Sequence, residues 1–215
     1  MNNDFSKVAA IVFDMDGTLY VSDAQEEAVW KSVSSYAGEL LGCSAAEGKK
    51  HLQELRKQLT AQRGSLQTLA VIIREIGGTL QEMHRRFAAE LEPATLIEPD
   101  NRVPGLIDRL VSSYRCWLLT NNNRILTDKI LDVIGLTDSF ERVTTIDDNW
   151  QPKPDAALVQ NIITELDLPA EAVLFVGDRY DIDLHLPAQA GCPTLLVKTV
   201  DELMRLEDLL IGKNL

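Results

Sequence analysis

Two aspartates one residue apart, Asp14 and Asp16, stand directly after the apolar run Val8-Ala9-Ala10-Ile11-Val12-Phe13 and just before Gly17-Thr18. A continuous apolar run that ends in a turn signal reads as a strand buried on both faces. Asp14 then sits where that strand leaves the core, and Gly17 permits a sharp turn beyond it. Strand side chains repeat with period two, so Asp14 and Asp16 aim into one space if the extended geometry continues. Two carboxylates at a strand's carboxyl end, where open α/β sheets bind ligands, suit a cation and an anionic substrate. The same residues also fit a plain Asp-Gly turn with Thr18 as a cap, so the rest of the chain has to decide.

Three further places put polar groups at a strand end or in a following loop. Thr120 and Asn121 follow the apolar segment Arg115–Leu119, Lys153 lies between Pro152 and Pro154, and Asp178 follows Ala172–Val176 with Asp181 and Asp183 close behind. Each has a structural alternative: a helix N-cap at Thr120 and its asparagines, a solvated loop lysine, a turn at Gly177-Asp178. In a doubly wound sheet, however, all strand carboxyl ends share one edge, so the groups can converge. Their types are complementary. Asp14 can serve as nucleophile and metal ligand, and Asp16 as proton donor. Thr120 and nearby N–H groups can hold phosphoryl oxygens, and Lys153 can neutralise phosphate and the Asp14 carboxylate. Asp178 can complete an oxygen shell for Mg2+, which takes few carboxylates plus water and phosphate oxygens.

The elements that must position these residues follow from periodicity. From Pro104 onward, strands alternate with helices: helix 106–111, strand 115–119, helix 125–134, strand 142–146, helix 155–166, strand 172–176, helix 184–190, strand 194–197 and helix 200–210. This pattern predicts right-handed crossovers and a parallel sheet. Between the first strand and that region the period is helical. Ser22 with Gln25-Glu26, Ser44 with Glu47, and Thr79 with Glu82 have capping-box spacing, while Gly42, Gly64 and Gly77-Gly78 mark stops. Apolar stripes then predict four amphipathic helices, with Leu66, Leu69, Ile73 and Ile76 marking the third, able to pack as a small bundle. The expected organisation is an α/β core from 1–20 and 103–215, with a helical insertion over 21–102. Arg56, Arg63, Arg74, Arg85 and Arg86 of that insertion are either solvated helix faces or ligands for an anionic leaving group.

Composition narrows the partners. A formal charge of −12 argues against general nucleic-acid or anionic-membrane binding, but not against a small phosphorylated substrate beside a divalent cation. Cys43, Cys116 and Cys192 show no metal-ligand spacing; their odd number and the lack of a secretory signal suggest a reducing, cytoplasmic setting. Cys116, in an apolar strand, reads as a small buried hydrophobe. The apolar runs are too short to span a bilayer. A monomer or a small homo-oligomer fits equally.

With these residues in view, the chain resembles the haloacid dehalogenase superfamily of phosphohydrolases over nearly its whole length. Asp14-Met15-Asp16-Gly17-Thr18 looks like the family's first motif, Leu118-Leu119-Thr120-Asn121 its second, Lys153 in Gln151-Pro152-Lys153-Pro154-Asp155 its third, and Val176-Gly177-Asp178-Arg179-Tyr180-Asp181-Ile182-Asp183 its fourth. The resemblance implies a sheet of order 5-4-1-2-3 with the nucleophile strand central, and a helical cap inserted after the first motif. Asp183 matches the longer acid spacing of the fourth motif, with Asp181 as supporting acid. The mechanism then expected is attack by Asp14 on phosphorus, proton transfer by Asp16, and Mg2+ held by Asp14, the Asp16 main-chain oxygen and Asp178. Thr120, Asn121 and Lys153 bind the phosphate. The substrate class is a small phosphorylated metabolite: phosphoglycolate, a nucleotide or a sugar phosphate. A phosphomutase, a receiver-like phosphate switch and a silent phosphate-binding protein are the rivals. Asp16 and the helical insertion disfavour the switch, and the intact set of polar residues disfavours the silent protein.

Overall fold

A computed structural model describes residues 5–211. The chain forms two compact units, one made of the segment up to Val21 and the segment from Ile97 onward, the other of Ser22–Leu96. Residues 97–102 belong with the first unit: Ile97 is buried and Arg102 ion-pairs with Asp201.

The α/β unit is built on strands β1 (Ala10–Phe13), β2 (Arg115–Leu119), β3 (Arg142–Thr144), β4 (Val173–Gly177) and β5 (Thr194–Leu196). All neighbours are parallel and the order is β3-β2-β1-β4-β5, the expected order read from the opposite edge. β1 is central and wholly buried, which is why it carries no polar residue until Asp14. In register, Phe13 lies beside Leu118 of β2 and Val176 of β4, so the residues that follow all three strands emerge along one edge.

The helical unit contains α1 (Asp23–Leu41), α2 (Ala45–Arg63), α3 (Leu69–Glu75), α4 (Leu80–Glu90) and the short α5 (Pro93–Leu96). Its starts are capped as the spacing predicts. Ser22 accepts from Gln25 N, Ser44 and Glu47 form a full capping box, and Thr79 accepts from Glu82 N. α1 and α2 cross closely at two glycines: a Cβ on Gly48 would lie 2.7 Å from Gly38 N and Ser34 O. Leu66 stands outside α3 and is exposed, because Gln67 N donates to Thr60 Oγ1 and Arg56 Nε donates to Gln67 O, holding that segment as a loop. Arg63 pairs with Glu75, Arg85 with Glu82, and Arg86 with both Glu39 and Glu82, so these arginines are spent within their own unit.

The α/β unit continues with α6 (Arg102–Val111), α7 (Arg124–Val133), α8 (Ala156–Leu166), α9 (His185–Gln189), α10 (Val200–Leu203) and α11 (Leu206–Leu210). The helix expected over 200–210 is thus two pieces, joined through Met204 and Arg205. On one sheet face Ala10, Val12, Trp117, Leu119, Val173 and Phe175 pack against the apolar side of α8. The strand period sends Ile11 and Phe13 of β1 to the other face. Among the described residues no helix is long and apolar enough to cross a membrane.

Candidate active site

β1 delivers Asp14 to the sheet edge, where its N–H donates to Val176 O at 2.9 Å and its carboxylate is buried. Thr18 Oγ1 donates to Oδ2 at 3.0 Å, and Lys153 Nζ donates to Oδ1 at 2.6 Å. The same ammonium donates to Leu119 O at 2.9 Å and lies 2.7 Å from Asp183 Oδ1. Two of its three N–H groups are thus hydrogen-bonded, and Asp183 Oδ1 adds an ion-pair contact. Lys153 is only 4% exposed, as is Asp14, so both are out of bulk water.

The loop after β2 organises the neighbouring ground. Thr120 is buried, its N–H donates to Thr144 O, and its hydroxyl oxygen accepts from Asn122 N at 3.1 Å. Asn121 clasps the backbone of Lys153 in both directions, accepting from its N–H at 2.7 Å and donating to its carbonyl at 3.3 Å. Asn123 Oδ1 accepts from Leu126 N and so caps α7. Asp16 lies on the other side, its Oδ1 accepting from Tyr20 Oη at 2.5 Å and its Oδ2 from Asn122 Nδ2 at 2.8 Å.

After β4 the chain makes a π-helical turn, Tyr180–Leu184. This turn buries Asp183 and leaves Asp181 exposed. Asp183 Oδ2 accepts from Arg179 N at 3.1 Å. Gly177 is required beneath it, since a Cβ there would fall 2.5 Å from Asp183 Cβ. Gly17, at φ 82°, is equally constrained: its Cβ would stand 2.6 Å from Asp178 Oδ2. Arg179 Nε approaches Asp178 Oδ1 at 3.4 Å, and Lys198 Nζ donates to the Asp178 carbonyl.

The structure thus brings together Asp14, Lys153, Asp178 and Asp183, with Asp16, Thr120 and Asn121 in the adjoining loops, and leaves Asp181 out. Tyr20, Asn122 and Arg179 join the network without having been singled out from sequence. Arg179 had a usable signal, as the residue following the strand-end Asp178. Tyr20 and Asn122 had none, because their contact to Asp16 depends on how two loops close.

Burial, with the neighbouring Asp183 charge, pushes the Asp14 carboxyl up to about 7 despite the pull of Lys153 and Arg179. Burial alone would lower Lys153, but Asp14 and Asp183 outweigh it and hold the ammonium above its ordinary value. Burial also raises Asp178. One oxygen from each of Asp14, Asp178 and Asp183 lies within 4.8 Å of the others. Asp178 Oδ1 is buried with no hydrogen-bond partner among the described residues. An all-oxygen donor set with an unsatisfied carboxylate oxygen fits a hard divalent cation such as Mg2+.

The family model for haloacid dehalogenase-like hydrolases matches residues 8–191, which spans every strand end described above. The chain belongs to this family. It is a haloacid dehalogenase-like hydrolase. Pyrophosphatase PpaX of Bacillus velezensis is 26% identical over 190 residues, covering 87% of this chain and 82% of the relative. Phosphoglycolate phosphatase of Yersinia pestis is 24% identical over 197 residues, covering 89% and 81%. Among solved structures, a haloacid dehalogenase-type phosphatase from Thermococcus onnurineus superposes with a TM-score of 0.64 at 20% identity, covering 97% of this chain and 100% of that one.

Proposed function

We propose that this hydrolase is a Mg2+-dependent phosphatase of a small phosphorylated metabolite, working through an aspartyl-phosphate on Asp14. The observation that carries the reading is the buried Asp14 carboxylate, 2.6 Å from Lys153 Nζ and grouped with Asp178 and Asp183 at the edge of a parallel sheet. The names of the curated relatives, a pyrophosphatase and phosphoglycolate phosphatases, support a phosphorylated substrate of modest size.

An Asp14 oxygen attacks phosphorus in line, and the bond from phosphorus to the leaving oxygen breaks with its electron pair on that oxygen. Each Asp14 oxygen accepts one hydrogen bond and keeps a second lone pair, so the hold of Lys153 and Thr18 does not block attack. Asp16 protonates the departing alkoxide. It then takes a proton from water, whose oxygen attacks the aspartyl-phosphate, releasing phosphate and restoring the Asp14 carboxylate. Lys153, Thr120 and Asn121 position the phosphoryl oxygens and offset their charge. Mg2+, held by Asp14, Asp178 and the main-chain oxygen of Asp16, would supply further neutralisation of the transferring group. Asp183 acts through Lys153 and the Arg179 backbone rather than on substrate.

The test is phosphate release by the purified protein with Mg2+ from an aryl phosphate and from a panel including 2-phosphoglycolate, sugar phosphates, nucleoside monophosphates and pyrophosphate. Turnover should require Mg2+ and vanish in Asp14→Asn. Full activity in that variant rejects Asp14 as nucleophile.

A further inference from the structure

Asp16 is half-buried, and its two carboxylate oxygens are gripped from different segments. Tyr20 Oη donates to Oδ1 at 2.5 Å from the loop after β1, and Asn122 Nδ2 donates to Oδ2 at 2.8 Å from the loop after β2. Neither donor site is incidental. The turn that carries Tyr20 folds back on itself, with Gly17 N donating to Tyr20 O at 2.9 Å and Leu19 N donating to Met15 O at 2.9 Å. The Tyr20 side chain is buried, so its ring has one place to lie. Asn122 is fixed in turn by its own N–H on Thr120 Oγ1.

We propose that Tyr20 and Asn122 are positioning residues that hold the Asp16 carboxylate in one orientation for proton transfer. The inference rests on the acid–base role proposed for Asp16 above. The terminal torsion of an aspartate is broad, so an ungripped carboxylate samples many orientations. Donors on both oxygens fix its plane. Each oxygen keeps a second lone pair, which leaves room for a leaving-group oxygen to approach. That free position is also where the transferable proton sits, so Tyr20 and Asn122 keep donating while the proton faces the leaving group.

Esters differ in how much they need an acid. A 4-nitrophenolate departs unaided, whereas a simple alkoxide does not. The quantity to follow is kcat/KM with Mg2+, which reports the first phosphoryl transfer before water attacks. Tyr20→Phe and Asn122→Ala should each lower kcat/KM for alkyl phosphates roughly 10-fold, part of the ~10²–10⁴ typical of an acid–base group. The same variants should leave 4-nitrophenyl phosphate little changed. The double variant should approach the profile of Asp16→Asn, measured alongside. Equal slowing of both ester classes, or no slowing of either, overturns the positioning role. If Asp16→Asn itself fails to separate alkyl from aryl esters, the acid role of Asp16 is wrong and the inference falls with it. If Asp16→Asn separates them and the two clamp variants do not, only the clamp is wrong. Melting midpoints of all four proteins identify any variant that fails to fold, and Asn122→Ala, at a half-buried site, then stands in for Tyr20→Phe.

Discussion

Lys153 neutralises two buried carboxylates at once, Asp14 at 2.6 Å and Asp183 at 2.7 Å. Removing one partner of a buried ion pair leaves uncompensated charge and costs about 3–5 kcal/mol. Lys153→Met should therefore unfold at markedly lower urea concentration than the natural protein, and added Mg2+ should recover a larger share of stability in the variant. Proton linkage gives a second expectation. In metal-free protein burial pushes the Asp14 carboxyl up to about 7, from an ordinary 3.8. Between those values the folded chain holds a proton that the unfolded chain has lost, so stability falls as pH rises across that interval. Asp178, also raised, acts in the same direction. Urea midpoints of chelator-treated protein should drop from pH 4 to pH 7, with a smaller drop in Asp14→Asn. Stabilisation by Mg2+ should grow over the same interval, because a metal and a proton compete for one carboxylate. Asp14, Lys153 and Asp178 were legible in the sequence because each is a reactive type at a strand end or in a constrained loop. The partner geometry of Asp16 was not, since a turn of three residues separates it from Tyr20 and half the chain separates it from Asn122.

At the scale of elements, the loop after β2 shows how one short polar run does several jobs. Three successive asparagines have three partners: Asn121 clasps Lys153, Asn122 holds Asp16, and Asn123 caps α7. The sequence suggested a cap somewhere in this run but could not say which asparagine supplied it, because neighbouring asparagines are chemically identical until the backbone aims them. Asn123→Ala should cost about 1 kcal/mol as a lost N-cap, while Asn123→Asp should restore most of it. Asn121→Ala should behave differently, lowering phosphate release more than stability, because it frees the loop that presents Lys153. Denaturation midpoints and turnover measured on all three variants separate the two effects. The caps of α1, α2 and α4 were readable because a capping residue and its partner lie within one turn. The π-helical turn after β4 was not, so only the family resemblance, and no local pattern, favoured Asp183 over Asp181. The wider turn selects Asp183, which packs over the bare Cα of Gly177, and sends Asp181 to solvent.

At the scale of the molecule, the groups proposed for chemistry all belong to the α/β unit, and none comes from Ser22–Leu96. The helical unit has its own core, including Val33, Leu52, Ile72, Met83 and Phe87, all buried. Its two ends are tied together, since Ser22 Oγ donates to Leu96 O at 2.5 Å. A unit that enters and leaves at one point can be excised with a short flexible linker and little disturbance to the connecting backbone. We propose that bond breaking belongs to the α/β unit and that the helical unit influences the choice of leaving group. Replacing residues 22–96 by a Gly/Ser linker should therefore preserve Mg2+-dependent hydrolysis of 4-nitrophenyl phosphate, at a reduced rate, because the acids and Lys153 remain. On that proposal it should also flatten the ranking of phosphorylated metabolites. Relative kcat/KM across the panel is the measurement. A ranking that survives excision would place specificity in the α/β unit itself, at the loops around Asn122 and Arg179.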